Sequence, residues 1–209
     1  RPARRGDGLV ERSLRLNDPG RAWVALAGVL AMGSMLALAL PSAVFDWQPG
    51  RAWDQPWRWW TAAFIHWSDG HLAANLVGVL VVGAFGWAAR LPRAMALAWA
   101  AAWPLTQLGW LLRPELAHFG GLSGVLHAGV AVAVVGLLRE EQGWRRGLGG
   151  AVGVGLLAKV GFETPWGPVL RHPQGWDIAV APWAHACGTV AGAACALLAW
   201  KCCARGLSA

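Results

Sequence analysis

Five stretches of this chain carry no Asp, Glu, Lys or Arg over lengths that only a membrane demands: residues 22–45, 71–89, 94–112, 120–138 and 182–200. An α-helix rises about 1.5 Å per residue, so roughly 20 residues cross a hydrocarbon core of about 30 Å. A sixth run, 147–162, is shorter and is broken only by Lys159. The expected fold is therefore all-α: a polytopic membrane protein built as a bundle of six transmembrane helices. That bundle occupies residues 22–201, between a basic arm at 1–21 and a short tail at 202–209. No internal repeat and no second domain are evident. The overall composition agrees, since 56% hydrophobic residues and a mean hydropathy of +0.40 exceed what an ordinary soluble domain carries. The first run is too long for a cleavable signal peptide and lacks a small-residue cleavage site.

A net charge of +7 raises the question of nucleic acid, and the placement of the charges answers it. With both termini and the even-numbered connections on one side, that side holds Arg1, Arg4, Arg5, Arg12, Arg15, Arg21, Arg90, Arg93, Arg139, Arg145, Arg146, Lys201 and Arg205. Arg51, Arg58, Arg113 and Arg171 fall on the other. Basic residues concentrate in cytoplasmic connections, so both termini are expected inside the cell. The charge then reflects topology, and no nucleic-acid partner is expected. Sixteen Arg against two Lys suggests a GC-rich bacterial genome. The four cysteines form no zinc pattern and read as apolar fillers or free thiols.

Polar side chains inside spans are costly, and here they share one depth. His71, Asn75, Ser123, His127 and His185 all lie within the first turns at the outer ends of three different spans. His71 and Asn75 are spaced i, i+4 and share a helix face. Ser68, Asp69 and Gly70 precede His71 as capping residues. His185, Gly188 and Gly192 are spaced i, i+3 and i+7, which sets the histidine above a strip of glycines. Such a strip permits close approach by a neighbouring helix, and the fourth span offers Gly124 and Ala128 below Ser123. Ser123, in the run Gly121-Leu122-Ser123-Gly124, would then come within reach of His185. A serine beside a histidine base is the minimum for acyl transfer. The oxyanion would need donors, which the backbone N–H of Ser123 and the side chains of His71 and Asn75 can supply. With no carboxylate evidently placed to orient His185, the expectation is a dyad. Lys159 and Glu163 are read as a surface pair without a catalytic part.

Three segments, "WRWWTAAFIHWSDGHLAANL", "GLSGVLHAG" and "AHACGTVAG", together resemble the signature regions of the rhomboid intramembrane serine proteases. They carry W-R with H-x-x-x-N, G-x-S-G, and A-H-x-x-G-x-x-x-G, in that family's order. The Leu-His that follows G-x-S-G is most similar to the rhombosortase branch. The resemblance implies Ser123 as nucleophile, His185 as base, and His71 and Asn75 at the oxyanion hole. Gly121, Gly124 and Gly188 would adjoin the site, with His66 and Gly192 structural. It also implies that the tryptophan-rich segment after the first span is a membrane-embedded loop, and that residues 164–183 cap the site. Where many rhomboids place an aromatic residue four positions after the serine, this chain has His127, which would stack on the base or compete for its proton. The implied substrate is the transmembrane segment of a membrane-anchored protein, exported by a bacterium and bearing a C-terminal Gly-Gly sorting tail. The implied location is the bacterial inner membrane, with the site opening to the periplasm. No cofactor and no metal are expected.

Two other readings start from the same residues. A rhomboid-like pseudoprotease would bind transmembrane helices without cutting them, at odds with an intact Ser123/His185 pair. A metal-binding membrane protein would use His71, His127, His185 and Cys187. That set leaves Ser123 idle and needs Cys187, two residues from His185, on the same helix face.

Overall fold

Proline ends the first apolar run earlier than its length suggests. In the computed structural model, which describes residues 19–139, 143–175 and 177–206, helix α1 covers Arg21–Leu36 and tightens into a 3-10 turn at Ala37–Ala39. Leu40 is extended because the ring of Pro41 excludes the helical conformation from the residue before it. The expected span 22–45 is thus cut short. Residues 42–45 form a separate short helix, α2 (Ser42–Phe45), which opens the connection to the next long helix. The expected basic arm, up to residue 18, and the last three residues of the tail lie outside the described residues.

That connection is held by Arg58, at the start of the single-turn helix α3 (Arg58–Thr61). Its guanidinium is buried and donates to the Asp46 carboxylate at 2.9 Å, to the backbone oxygens of Asp46 and Ala43, and to Gln55. Asp46 in turn engages His118 at 2.6 Å, and Trp47 pairs with Phe119 in an isolated antiparallel bridge. A buried arginine with most of its donors used is stable where an unpaired one would not be. The loop is therefore pinned to the segment that leads to Ser123.

Helix α4 (Asp69–Ala88) starts two residues before the expected position, because the Ser68 hydroxyl caps it by accepting the His71 N–H at 3.1 Å. Helices α5 (Arg93–Leu108), α6 (Ser123–Leu138), α7 (Trp144–Phe162) and α8 (Pro182–Gly206) complete the set. Helix α8 continues past residue 201 into the expected tail. Among the described residues there is no strand, only isolated bridges.

Helix α6 is the centre of the bundle. It packs against α4, α5, α7 and α8, and its buried residues face every direction around its axis. An all-round apolar helix belongs in the interior. Helix α1 lies against α4 and α5, while α7 packs mainly on α6 and buries only Gly149 and Leu156. Outward-facing Met32, Leu80, Val81, Val154, Leu157 and Val190 are exposed. On a membrane protein such residues meet lipid, so the helices are joined by close packing and hydrogen bonds more than by apolar burial. Trp23 and Trp99 show this: both are fully buried, and their indole N–H groups donate at 2.8 Å to the backbone oxygens of Val82 and Val125. Not all tryptophans therefore serve as interfacial anchors. By length and composition, Arg21–Ala39, Asp69–Ala88 and Pro182–Cys202 can each cross a bilayer, and Ser123–Leu138 is a shorter apolar helix.

Candidate active site

Ser123 is the first residue of α6, so its N–H has no acceptor within the helix. The approach to it requires glycine. Gly121 has φ +126°, and a Cβ there would lie 2.7 Å from His71 Nε2. Only a residue without a side chain takes that backbone and that clearance at once. Its N–H is tied to the Ala62 oxygen at 3.0 Å, anchoring the turn.

Helix α8 approaches α6 through the glycine strip. A Cβ on Gly188 would sit 1.9 Å from the Gly124 oxygen, and one on Gly192 2.3 Å from the Ala128 oxygen. A Cβ on Gly124 would in turn meet the Ala184 oxygen at 2.8 Å. Backbone-to-backbone contact of this kind sets the first turns of the two helices side by side. Ser123 and His185 consequently line one cavity of about 850 Å³, and so do His71, Asn75 and His127.

The His185 ring is held on both sides. On its face lies His127, stacked at 4.1 Å between centroids and 10° between planes. The His127 Nδ1 is 2.6 Å from the Ser123 backbone oxygen, one turn back along α6, so that nitrogen carries the proton and donates. At the edge of the His185 ring, Nδ1 lies 2.6 Å from Oε2 of Glu163, which follows the last residue of α7. The other oxygen of Glu163 accepts from Lys159 Nζ, also at 2.6 Å. A carboxylate is therefore placed on His185, against the expectation that none would be. The reason is tertiary. Glu163 pairs with Lys159 as the i, i+4 spacing suggests, but a carboxylate has a second oxygen, and the fold turns that oxygen toward α8.

Asn75 is buried, and its Nδ2 donates to the His71 backbone oxygen at 3.0 Å, which engages one of its two hydrogens. The His71 Nδ1 is buried without a hydrogen-bond partner. His66 lies edge-on to His71 with centroids 4.7 Å apart, and its Nδ1 is 3.0 Å from the Phe64 oxygen. It thus closes its own turn and braces His71. Burial, and then the adjacent His71, push His66 down from its ordinary 6.5 to about 4, so it is neutral at physiological pH.

Residues of the connection between α7 and α8 complete the lining, among them Leu170, Arg171, Ile178 and Val180. This connection is closed by the Arg171–Val180 bridge, and its Asp177 carboxylate accepts the Gly70 N–H at 3.2 Å, at the N-terminus of α4. An acid at that end of a helix is electrostatically favoured.

The four-residue metal set does not assemble. Cys187 packs toward Gly109, where a Cβ would lie 2.0 Å from its sulfur. His127, Glu163 and His185 instead bring potential ligand atoms within 4.8 Å of one another. Two imidazoles stacked nearly parallel keep their lone pairs in separate, nearly parallel planes, however, whereas zinc needs them to converge on one point. Cys187, Cys195 and Cys202 are free thiols.

Of the residues expected from the sequence, His71, Asn75, Ser123, His127 and His185 all line the cavity, and Glu163, for which the sequence suggested no part, lines it with them. The available signal was its place directly after the apolar run 147–162, which the expected topology sets level with His185. Against known proteins, the family model described as Rhomboid domain matches residues 53–202. No curated protein matches the chain.

Proposed function

Because the chain belongs to the rhomboid family of intramembrane serine proteases, we propose that it cleaves membrane-anchored proteins by attack from Ser123, with His185 as base. The observation that carries this reading is the shared cavity: Ser123 and His185 come from different helices, and the ring of His185 is fixed on its face and at its edge. With Nδ1 of His185 engaged by Glu163, Nε2 is the nitrogen left to receive a proton.

In the first step Nε2 takes the Ser123 hydroxyl proton while Oγ bonds to the scissile carbonyl carbon, whose oxygen becomes an oxyanion. The Ser123 N–H, the second hydrogen on Asn75 Nδ2, and His71 are the donors proposed for it. On collapse the C–N bond breaks and the amine leaves with the proton from His185. Water then gives a proton to Nε2 as its oxygen attacks the acyl carbon; on collapse the bond to Oγ breaks and Nε2 returns that proton to Oγ, freeing the new carboxyl end and Ser123.

The spans are proposed as α1, α4, α5, α6, α7 and α8, in the bacterial inner membrane with both termini cytoplasmic, so the cavity opens to the periplasm. Helix α6 is about 24 Å long, shorter than the hydrocarbon is thick. Packed against the longer α4, α7 and α8, it would hold Ser123 below the outer surface. Helix α7 makes its main contacts on α6, which leaves the side between α4 and α7 as the entry for a substrate helix. A helical peptide bond is shielded by its own hydrogen bonds, so the cut falls where the substrate unwinds. Glycine unwinds at least cost, about 1 kcal/mol less than Ala. The substrate class proposed is an exported protein anchored by one C-terminal helix and cut at a glycine pair just outside it, as in the rhombosortase branch.

The test is co-expression with such an anchored protein. Release of its soluble part is expected from the wild type and not from Ser123→Ala or His185→Ala, and leucines in place of the glycine pair should block it. Wild-type enzyme that binds the anchor without releasing anything would favour a pseudoprotease. Equal release of the leucine-substituted substrate would remove the sorting-tail assignment alone.

A further inference from the structure

Glu163 has more contacts than a surface ion pair needs. An i, i+4 pair with Lys159 uses one carboxylate oxygen and requires nothing from α8. The other oxygen lies 2.6 Å from Nδ1 of His185, a residue only 5% exposed and 22 positions away in sequence. Lys159, half exposed, fixes the carboxylate from the far side and holds it in one orientation. His127, stacked on the face of His185, prevents the ring from tilting but leaves it free to flip about its Cβ–Cγ bond, which would put Cδ2 where Nδ1 lies and Cε1 where Nε2 lies. Only an in-plane contact at the ring edge distinguishes the two orientations.

We propose that Glu163 is a positioning residue for the base, making the catalytic apparatus a Ser123–His185–Glu163 relay in which Lys159 orients the carboxylate. The inference rests on the protease reading above. Glu163 accepts the Nδ1 proton of neutral His185 and so keeps the Nε2 lone pair directed at the serine. When Nε2 takes the Ser123 proton, the adjacent negative charge stabilises the imidazolium, and Glu163 itself stays ionised. No proton moves to the carboxylate, so the balance of the reaction is unchanged. A metal at the same three side chains is disfavoured by the parallel rings, and a purely structural tie would leave the chemistry indifferent to the charge.

The test compares wild type with Glu163→Gln, Glu163→Asp and Glu163→Ala in detergent. The measurements are kcat and KM on an anchored substrate and the rate of fluorophosphonate attachment to Ser123. Glu163→Gln is expected to lower kcat and the attachment rate together by about 10- to 10³-fold while KM stays within about threefold. The loss is smaller than for a fully enclosed triad because His127 still braces the ring. Added formate, reaching the open cavity, should restore part of the rate to Glu163→Ala and nothing to Glu163→Gln, whose side chain fills the place. Should the Ala variant not fold, the Gln variant decides the matter through the split between kcat and KM. Glu163→Gln retaining kcat within twofold, in enzyme whose cleavage depends on Ser123, would overturn the relay and leave the protease reading intact. Wild-type enzyme with no Ser123-dependent cleavage would remove both.

Discussion

At the scale of single residues the site is built from groups that hold one another in place before any substrate arrives. Asn75 spends one amide hydrogen on the His71 oxygen, which aims the second. Replacing Asn75 with Ala should therefore lower kcat by about 10- to 10²-fold, less than the 10²–10³ typical of a rigid oxyanion hole, with KM little changed. An unchanged kcat with a lowered thermal midpoint would reassign Asn75 to helix packing. His66 gives a pH signature. Its folded value, about 4, lies below its unfolded 6.5, so the folded state binds fewer protons in that window. Stability is full above pH 6.5 and declines as pH falls to 4, by on the order of 1–2 kcal/mol once its partial exposure is allowed for. The thermal midpoint of His66→Gln should lack that part of the decline between pH 6.5 and 4. A decline as steep as in the wild type would show that His66 is not its source. The individual polar residues were legible in the sequence because a bilayer interior makes each one conspicuous. Glu163 was not, because the i, i+4 partner Lys159 gave it a sufficient local explanation, and its contact with His185 depends on how α7 leans against α8.

At the scale of elements, the α6–α8 contact is what brings serine and histidine together. It was legible as glycines three and seven residues after His185, facing Gly124 and Ala128. Backbone contact tolerates no added atom, and a Cβ at Gly188 would overlap the Gly124 oxygen at 1.9 Å. Gly188→Ala should lower stability by about 1–3 kcal/mol and reduce activity more than the loss of folded protein explains, because α8 must shift away from Ser123. Measured midpoints and specific activities equal to wild type would mean that the two helices are not held this closely. Element boundaries were less legible. Hydropathy ran the first span on to residue 45, whereas Pro41 and the Arg58–Asp46 cluster turn residues 40–68 into a folded loop. Apolar content alone does not distinguish a span from a loop buried against the protein.

At the scale of the whole molecule, the bundle sets a cavity of about 850 Å³ beside its short central helix. The charge asymmetry predicts its orientation. A reporter fused after Ala209 should behave as cytoplasmic, and one inserted near Gly175 as periplasmic. The reverse would put the cavity on the cytoplasmic side. The most direct measurement of the central claim, that Ser123 is a nucleophile activated by His185, is to treat the purified protein with a fluorophosphonate and map the adduct by mass. The account predicts one adduct, on the peptide containing Ser123, absent from Ser123→Ala and strongly slowed in His185→Ala. An adduct at another residue, or labelling of Ser123→Ala at the wild-type rate, would contradict it.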